Sequence, residues 1–145
     1  MAERTATAVW DGTLQEGGGE VSLQSSKVLT SAPITWKARV EQPDGKTSPE
    51  ELLAGAHAAC YAMAFSNVLA QQGTPAEHLE VTATCTFGPS GDGFAVTRME
   101  LRVRGQVQGL DQAAFRQAAQ KGEAGCPISN AIRGNVEIEL EASLV

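Results

Sequence analysis

Apolar and polar positions follow two rhythms along this chain. Residues 5–10, Thr-Ala-Thr-Ala-Val-Trp, alternate and predict a strand, and Asp11-Gly12 predicts a turn behind it. A short piece at 13–15 leads to Gly17-Gly18-Gly19, which reads as a hairpin turn, and Val21 and Leu23 then share one face of a strand over 20–24. The triple glycine is no phosphate loop, because no Gly-Lys-Ser/Thr and no helix start follow it. From 34 to 40, Ile34, Trp36, Ala38 and Val40 alternate with Thr35, Lys37 and Arg39, which predicts a further strand.

After a loop at 41–46 the period becomes helical. Ser48 suits the N-cap, Pro49 the first helical position, and Glu51 completes a capping box. Glu50 and Glu51 favour the positive end of the helix dipole. Leu52, Leu53, Ala54, Ala56, Ala58, Ala59, Cys60, Tyr61, Ala62, Met63, Ala64, Phe65, Val68 and Leu69 then place apolar groups on every side. A helix apolar all round is expected to be buried all round. Gly73 and Pro75 mark its end.

Residues 79–87 alternate again, with Leu79, Val81, Ala83, Cys85 and Phe87 on one face. Residues 88–93 read as a hairpin loop. The returning strand changes phase from Phe94 and Val96 to Met99, Leu101 and Val103, which predicts a bulge near Thr97. Its other face, with Arg98, Glu100, Arg102 and Arg104, reads as a solvated sheet surface. Asp111 caps a helix that is expected to end at Gly122. Cys126 stands at the N-cap of a short helix with Pro127 first, Gly134 ends it, and a last strand alternates from Val136 to Leu144. This order predicts an α+β fold with helices on a largely antiparallel sheet, in one domain over 1–145.

Composition narrows the possibilities. With 11 basic and 17 acidic side chains in 145 residues, the chain is a poor match for nucleic acid. No apolar run approaches the roughly 20 residues free of polar groups that a membrane span needs, since Glu50, Glu51, His57, Ser66 and Asn67 interrupt the long helix. The first residues lack the basic start and apolar segment of a signal peptide, so a cytoplasmic protein without a membrane or nucleic-acid partner is expected. The three cysteines, Cys60, Cys85 and Cys126, are too few for a secreted disulfide framework.

Cys85 is in phase with its apolar neighbours and reads as a core residue. Cys126, at a helix start, faces free N–H groups that favour a thiolate, although a small residue in a tight Gly-Cys-Pro turn would look the same. Cys60 lies in mid-helix. It is either an inert buried thiol or a group activated by a cation brought from elsewhere. His57 lies three residues before it on the same face. That spacing allows a Cys–His nucleophile pair, half of a metal site, or simply a buried polar group. No CxxC or HxxxH supports zinc.

Ser-Pro-Glu-Glu-Leu-Leu-Ala-Gly-Ala-His-Ala-Ala-Cys from Ser48, with the later Cys-Pro-Ile-Ser from Cys126, resembles the OsmC/Ohr family of bacterial organic hydroperoxide reductases. The resemblance spans essentially the whole chain. The Trp-Lys-Ala-Arg-Val stretch and the early Trp-Asp-Gly look closer to the OsmC branch. It implies largely antiparallel sheets wrapped around a buried central helix, and a thiol peroxidase that needs no cofactor or metal. Cys60 matches the peroxidatic cysteine, Cys126 the resolving cysteine, and Arg39 and Glu50 the pair that flanks the reactive thiol. It further implies an organic hydroperoxide substrate, a Cys60 sulfenic acid, a Cys60–Cys126 disulfide, and recycling by an external dithiol of lipoyl type.

That reading poses a geometric problem. Glu50 and Cys60 stand ten residues apart in one helix, about 15 Å along its axis. They cannot meet within it, so an intertwined homodimer is expected, in which Glu50 of one copy approaches Cys60 of the other. A second copy would also cover Arg39, which a strand would point at solvent. Two other functions compete: a non-catalytic small-ligand-binding module, which has no need of both thiols, and a cysteine hydrolase, for which no oxyanion hole is evident.

Overall fold

A computed structural model describes residues 1–145. The chain divides into two units, Met1–Leu52 and Leu53–Val145.

The first unit is built on a three-stranded antiparallel sheet, β1 (Ala6–Asp11), β2 (Gly18–Leu23) and β3 (Ala32–Ile34), in that order. The triple glycine is not the hairpin turn that the sequence suggests. Gly18 and Gly19 lie inside β2, opposite Asp11 and Trp10, and the turn precedes them. A Cβ on Gly19 would fall 2.0 Å from the Val9 carbonyl oxygen, and one on Gly17 2.4 Å from that of Asp11. The glycines therefore let the two strands close on each other.

The expected strand at 34–40 is also corrected. Only Ile34 remains in β3, and Trp36–Val40 form a short helix, α1. Thr35 decides this, because its hydroxyl accepts the Ala38 N–H at 3.1 Å and caps the first turn. Five residues are too few to separate a period of two from one of 3.6, so the alternation misled.

Helix α2 runs from Pro49 to Gln71. Ser48 caps it, accepting the Glu51 N–H at 3.1 Å. The Glu51 carboxylate takes the Thr47 hydroxyl at 2.6 Å rather than completing the expected box with Ser48. Burial follows a single row, His57, Tyr61, Phe65 and Leu69, each fully buried. Ala56, Ala59, Met63 and Ala70 face outward. The chain by itself thus leaves uncovered a face that the apolar pattern led us to expect covered. By length and apolar content α2 does reach what a membrane span requires, contrary to expectation. Its buried row is packed against protein.

In the second unit β4 (His78–Ser90) and β5 (Gly93–Gln106) form an antiparallel hairpin. The strands extend almost to its tip, so the expected loop at 88–93 shrinks to a tight turn with Gly91 at φ +57°. Thr86 pairs with Arg98 and Phe87 with Val96, leaving Thr97 as the bulged residue that the phase change predicts. β6 (Glu137–Leu144) joins β5 in parallel, after a crossover through α3 (Gln112–Gly125) and α4 (Pro127–Ile132). Asp111 caps α3, accepting the Ala114 N–H at 2.8 Å.

α3 does not stop at Gly122. That glycine is buried against α2, where a Cβ would lie 3.0 Å from the Phe65 Cα and Cβ. It marks a close helix contact rather than a helix end. Phe65 meets Phe115 edge to face at 5.1 Å, and the Tyr61 hydroxyl donates to the Ala119 carbonyl at 3.1 Å. Leu101 and Val103 of β5 complete this core from the sheet side.

Candidate active site

Arg39 and Glu50 meet in the first unit. The Arg39 Nη2 donates to Glu50 Oε1 at 2.7 Å, and its Nε lies 3.1 and 3.2 Å from the two carboxylate oxygens. This is a fork-on-fork pair. The guanidinium also stands over the Trp36 ring, 5.8 Å from its centroid. A strand would have put Arg39 opposite Trp36. The helical spacing of three puts them on one face, and the arginine is turned onto Glu50 with 30% of its side chain exposed. Beside it, Trp10, Leu14, Ile34, Trp36 and Pro49 line a cavity of about 310 Å3, with Arg39 in its wall.

Cys60 and Cys126 meet in the second unit. Their thiols are close enough to act on each other electrostatically, and the Ile128 backbone N–H is near enough to the Cys60 sulfur to favour its thiolate. Burial is the largest influence on Cys60 and pushes its pKa above the ordinary 9.0. The Ile128 N–H opposes this, and the Cys126 thiol adds to it. At neutral pH this Cys60 is a thiol. Both cysteines are unpaired by disulfide. Cys126 is fully buried and caps α4 without a side-chain hydrogen bond, whereas Cys60 is half-buried. The free N–H at the start of α4 therefore serves the Cys60 sulfur, where the sequence suggested it would serve Cys126.

One turn away on each helix lies a second polar contact. His57 Nε2 is 2.7 Å from the Ser129 Oγ, and both residues are fully buried. The other imidazole nitrogen, Nδ1, is buried without a hydrogen-bond partner. Burial pushes His57 below its ordinary pKa of 6.5. Glu123 opposes that shift and Arg133 reinforces it. His57 is thus neither paired with Cys60 as a nucleophile's base nor one of a cluster of metal-binding groups. Further out, Arg133 bonds Glu123 at 2.6 Å, and the Asn130 amide donates to the Ala124 carbonyl at 3.2 Å, fixing α4 to the end of α3.

The four residues singled out by sequence are therefore brought together as two pairs, each inside its own unit. Sequence reasoning missed Ser129 and Ile128. A signal for Ser129 was present, since it follows Cys126 by the same three residues by which His57 precedes Cys60. Cys85, expected in the core, is only half-buried on β4 opposite Met99.

A family model described as OsmC-like protein matches residues 42–141. The chain is 35% identical to the Peroxiredoxin OsmC of Escherichia coli strain K12, over 92% of each chain. It is 32% identical to an Organic hydroperoxide resistance protein of Xanthomonas axonopodis pv. citri, over 86% of this chain and 87% of that one. Among solved structures it superposes on an organic hydroperoxide resistance protein OsmC from Legionella pneumophila with a TM-score of 0.71, at 27% identity and over 99% of both chains.

Proposed function

The chain belongs to the OsmC-like family, and from that premise we propose that it is a cysteine-based peroxidase for organic hydroperoxides. The names of its relatives support a redox role centred on hydroperoxides. The observation that carries the cysteine assignment is the contact between the Cys60 and Cys126 thiols under the Ile128 N–H.

The chemistry runs in three steps. The Cys60 thiolate attacks the terminal oxygen of R–O–O–H; the S–O bond forms, the O–O bond breaks, and the alkoxide leaves as alcohol after taking a proton. Cys60 is then a sulfenic acid. The Cys126 sulfur attacks the Cys60 sulfur, an S–S bond forms, and hydroxide leaves as water. An external dithiol then reduces the disulfide. Since Cys126 is fully buried, the incoming thiolate attacks the Cys60 sulfur and Cys126 leaves. The second thiol of the reductant then closes its own disulfide and frees Cys60. A lipoyl-type dithiol suits this step.

Cys60 needs a cation to ionise at neutral pH, and the groups acting on it in the single chain hold it protonated. We assign that cation to Arg39, oriented by Glu50, in a homodimer with two sites at its interface. The distance of about 15 Å between Glu50 and Cys60 along α2 supports a contribution from the second copy. The uncovered Ala56, Ala59, Met63 and Ala70 supply an apolar face for that copy. In this arrangement the cavity beside Arg39 receives the alkyl part of the peroxide. A particle of 15.2 kDa in solution at micromolar concentration, rather than about twice that mass, sinks the dimer. A cytoplasmic setting fits free thiols.

The cavity beside Arg39 would equally suit a non-catalytic ligand-binding module. Thiol counting separates the two readings. One equivalent of cumene hydroperoxide is expected to remove two of the three thiols, reversibly with dithiothreitol and not in Cys60→Ser. Three unchanged thiols favour the binding module.

A further inference from the structure

Two rungs join α2 to the start of α4. Cys60 meets Cys126, and one turn along each chain His57 meets Ser129. The offset is three residues on both sides, so the second contact fixes the register of the first. α4 is only six residues long and has little rigidity of its own. Its other side-chain ties, Arg133 to Glu123 and Asn130 to Ala124, are exposed and hold it to α3 rather than to α2. Beside the Ile128 N–H near the Cys60 sulfur, the hydrogen bond at 2.7 Å between fully buried groups is the side-chain tie that locates α4 on the helix that carries Cys60.

The histidine is a costly way to fill space. Its Nδ1 is buried with no partner, and an unsatisfied buried polar atom destabilises the fold. An apolar side chain would avoid that cost. What the imidazole supplies that an apolar group cannot is a directional bond to Ser129. As a neutral ring it keeps one nitrogen for that bond, and it adds no charge beside the thiols.

We propose that His57 and Ser129 are positioning residues for the resolving step: their hydrogen bond holds α4 so that the Cys126 sulfur stands ready to attack the Cys60 sulfenic acid. Neither touches the reacting atoms in this role. The step is the one above, S–S formation with loss of hydroxide as water, and the proposal rests on the thiol-peroxidase reading. Disulfide formation demands close approach and alignment of two sulfurs, and a displacement of about 1 Å costs up to about a hundredfold in rate.

The test follows the fate of Cys60 after one equivalent of cumene hydroperoxide, with dimedone present to trap sulfenic acid. The wild-type protein passes quickly to the disulfide and yields little adduct. Ser129→Ala removes one oxygen and is expected to slow disulfide formation about tenfold to a hundredfold. Dimedone adduct then rises relative to disulfide, and excess peroxide drives Cys60 on to sulfinic acid. Ser129→Thr keeps the hydroxyl and is expected to restore the wild-type ratio. A merely structural role would lower the melting temperature without moving that ratio in the folded protein. If Ser129→Ala does not fold, His57→Gln, whose amide can still donate to Ser129, is compared with His57→Leu. The first is expected to resolve quickly and the second slowly. A wild-type ratio in Ser129→Ala or His57→Leu overturns the positioning role and leaves the peroxidase reading standing. A wild-type protein that forms neither adduct nor disulfide overturns both.

Discussion

Two short helices, α1 and α4, each bring a residue of the proposed site to α2, and they hold it by opposite means. α1 presents Arg39 at a half-open surface, gripped by charge: a bidentate carboxylate on one side and the face of Trp36 on another. α4 presents Cys126 in a fully buried place, gripped by packing and by neutral hydrogen bonds. The first region has a cation and no nucleophile. The second has two thiols, and burial pushes the pKa of one of them, Cys60, above its ordinary value. A guanidinium keeps its charge near water, whereas burial holds the Cys60 thiol above its ordinary pKa. Neither environment serves both purposes, which is a physical reason for the proposed site to draw on both.

The sharpest way to break this comparison is to remove one nucleophile at a time. Cys60→Ser is expected to abolish peroxide turnover, a fall of about a thousandfold or more, because no other group can take its place. Cys126→Ser is expected to keep a single turnover and then stop with Cys60 as sulfenic acid, visible by mass as one added oxygen. If Cys126→Ser instead turns over normally with dithiothreitol while Cys60→Ser does too, the thiol region is not the site.

A smaller effect is expected in the charged region. Arg39→Lys keeps a positive charge but loses the fork that matches Glu50, and kcat/KM should fall about tenfold to a hundredfold. Arg39→Met should do more, and the pH profile of Cys60 alkylation reports why. If Arg39 activates Cys60 in the assembled protein, removing it moves the alkylation profile to higher pH, toward the range above 9.0 set by burial. An unchanged profile in Arg39→Met would separate the two regions functionally and leave the activation of Cys60 without a source.

What could be read from the sequence was whatever repeats over several turns or is announced by a cap. The start of α2 at Ser48, the cap at Asp111 and the bulge at Thr97 are of that kind, and each depends on local rules with little competition. α1 was illegible because five residues offer too little periodicity, so the Thr35 cap outweighed an apparent alternation. Gly17, Gly18, Gly19 and Gly122 were misread for one reason. Sequence reports that a Cβ is missing, not what lies in its place, and at Gly17, Gly19 and Gly122 it is a neighbouring backbone. The resemblance singled out Cys60, Cys126, Arg39 and Glu50 by residue type, but not the Ile128 N–H on the Cys60 sulfur, because a backbone donor has no letter of its own.

Packing, rather than charge, should govern stability around the thiols, and Gly122 tests this. Alanine is a better helix former by about 1 kcal/mol, yet its Cβ would press on Phe65 at 3.0 Å, partly on backbone that cannot swing aside. Gly122→Ala is therefore expected to destabilise by about 1–3 kcal/mol net, as overpacked cores do, measured by urea unfolding. A stabilised variant would show that α2 and α3 have slack between them, and that the dry region is less tightly defined than the charged one.

The smallest effect is a pH dependence confined to His57. Its folded pKa is lowered, chiefly by burial, with Glu123 opposing and Arg133 reinforcing the shift. Above 6.5 the ring is neutral in both folded and unfolded chains, and it contributes no slope. As pH falls below 6.5, the unfolded chain takes up a proton that the folded chain refuses, so stability declines with falling pH until the folded pKa is reached and then levels off. Unfolding free energies measured from pH 7.5 down to about 5 in the wild-type protein and in His57→Gln should therefore diverge in slope, with the variant flatter. Equal slopes would mean that the folded ring takes up a proton as readily as the unfolded chain does. A charged imidazole would then be standing beside the Cys60–Cys126 pair, and the contrast between a charged region and a neutral one would fail at its centre.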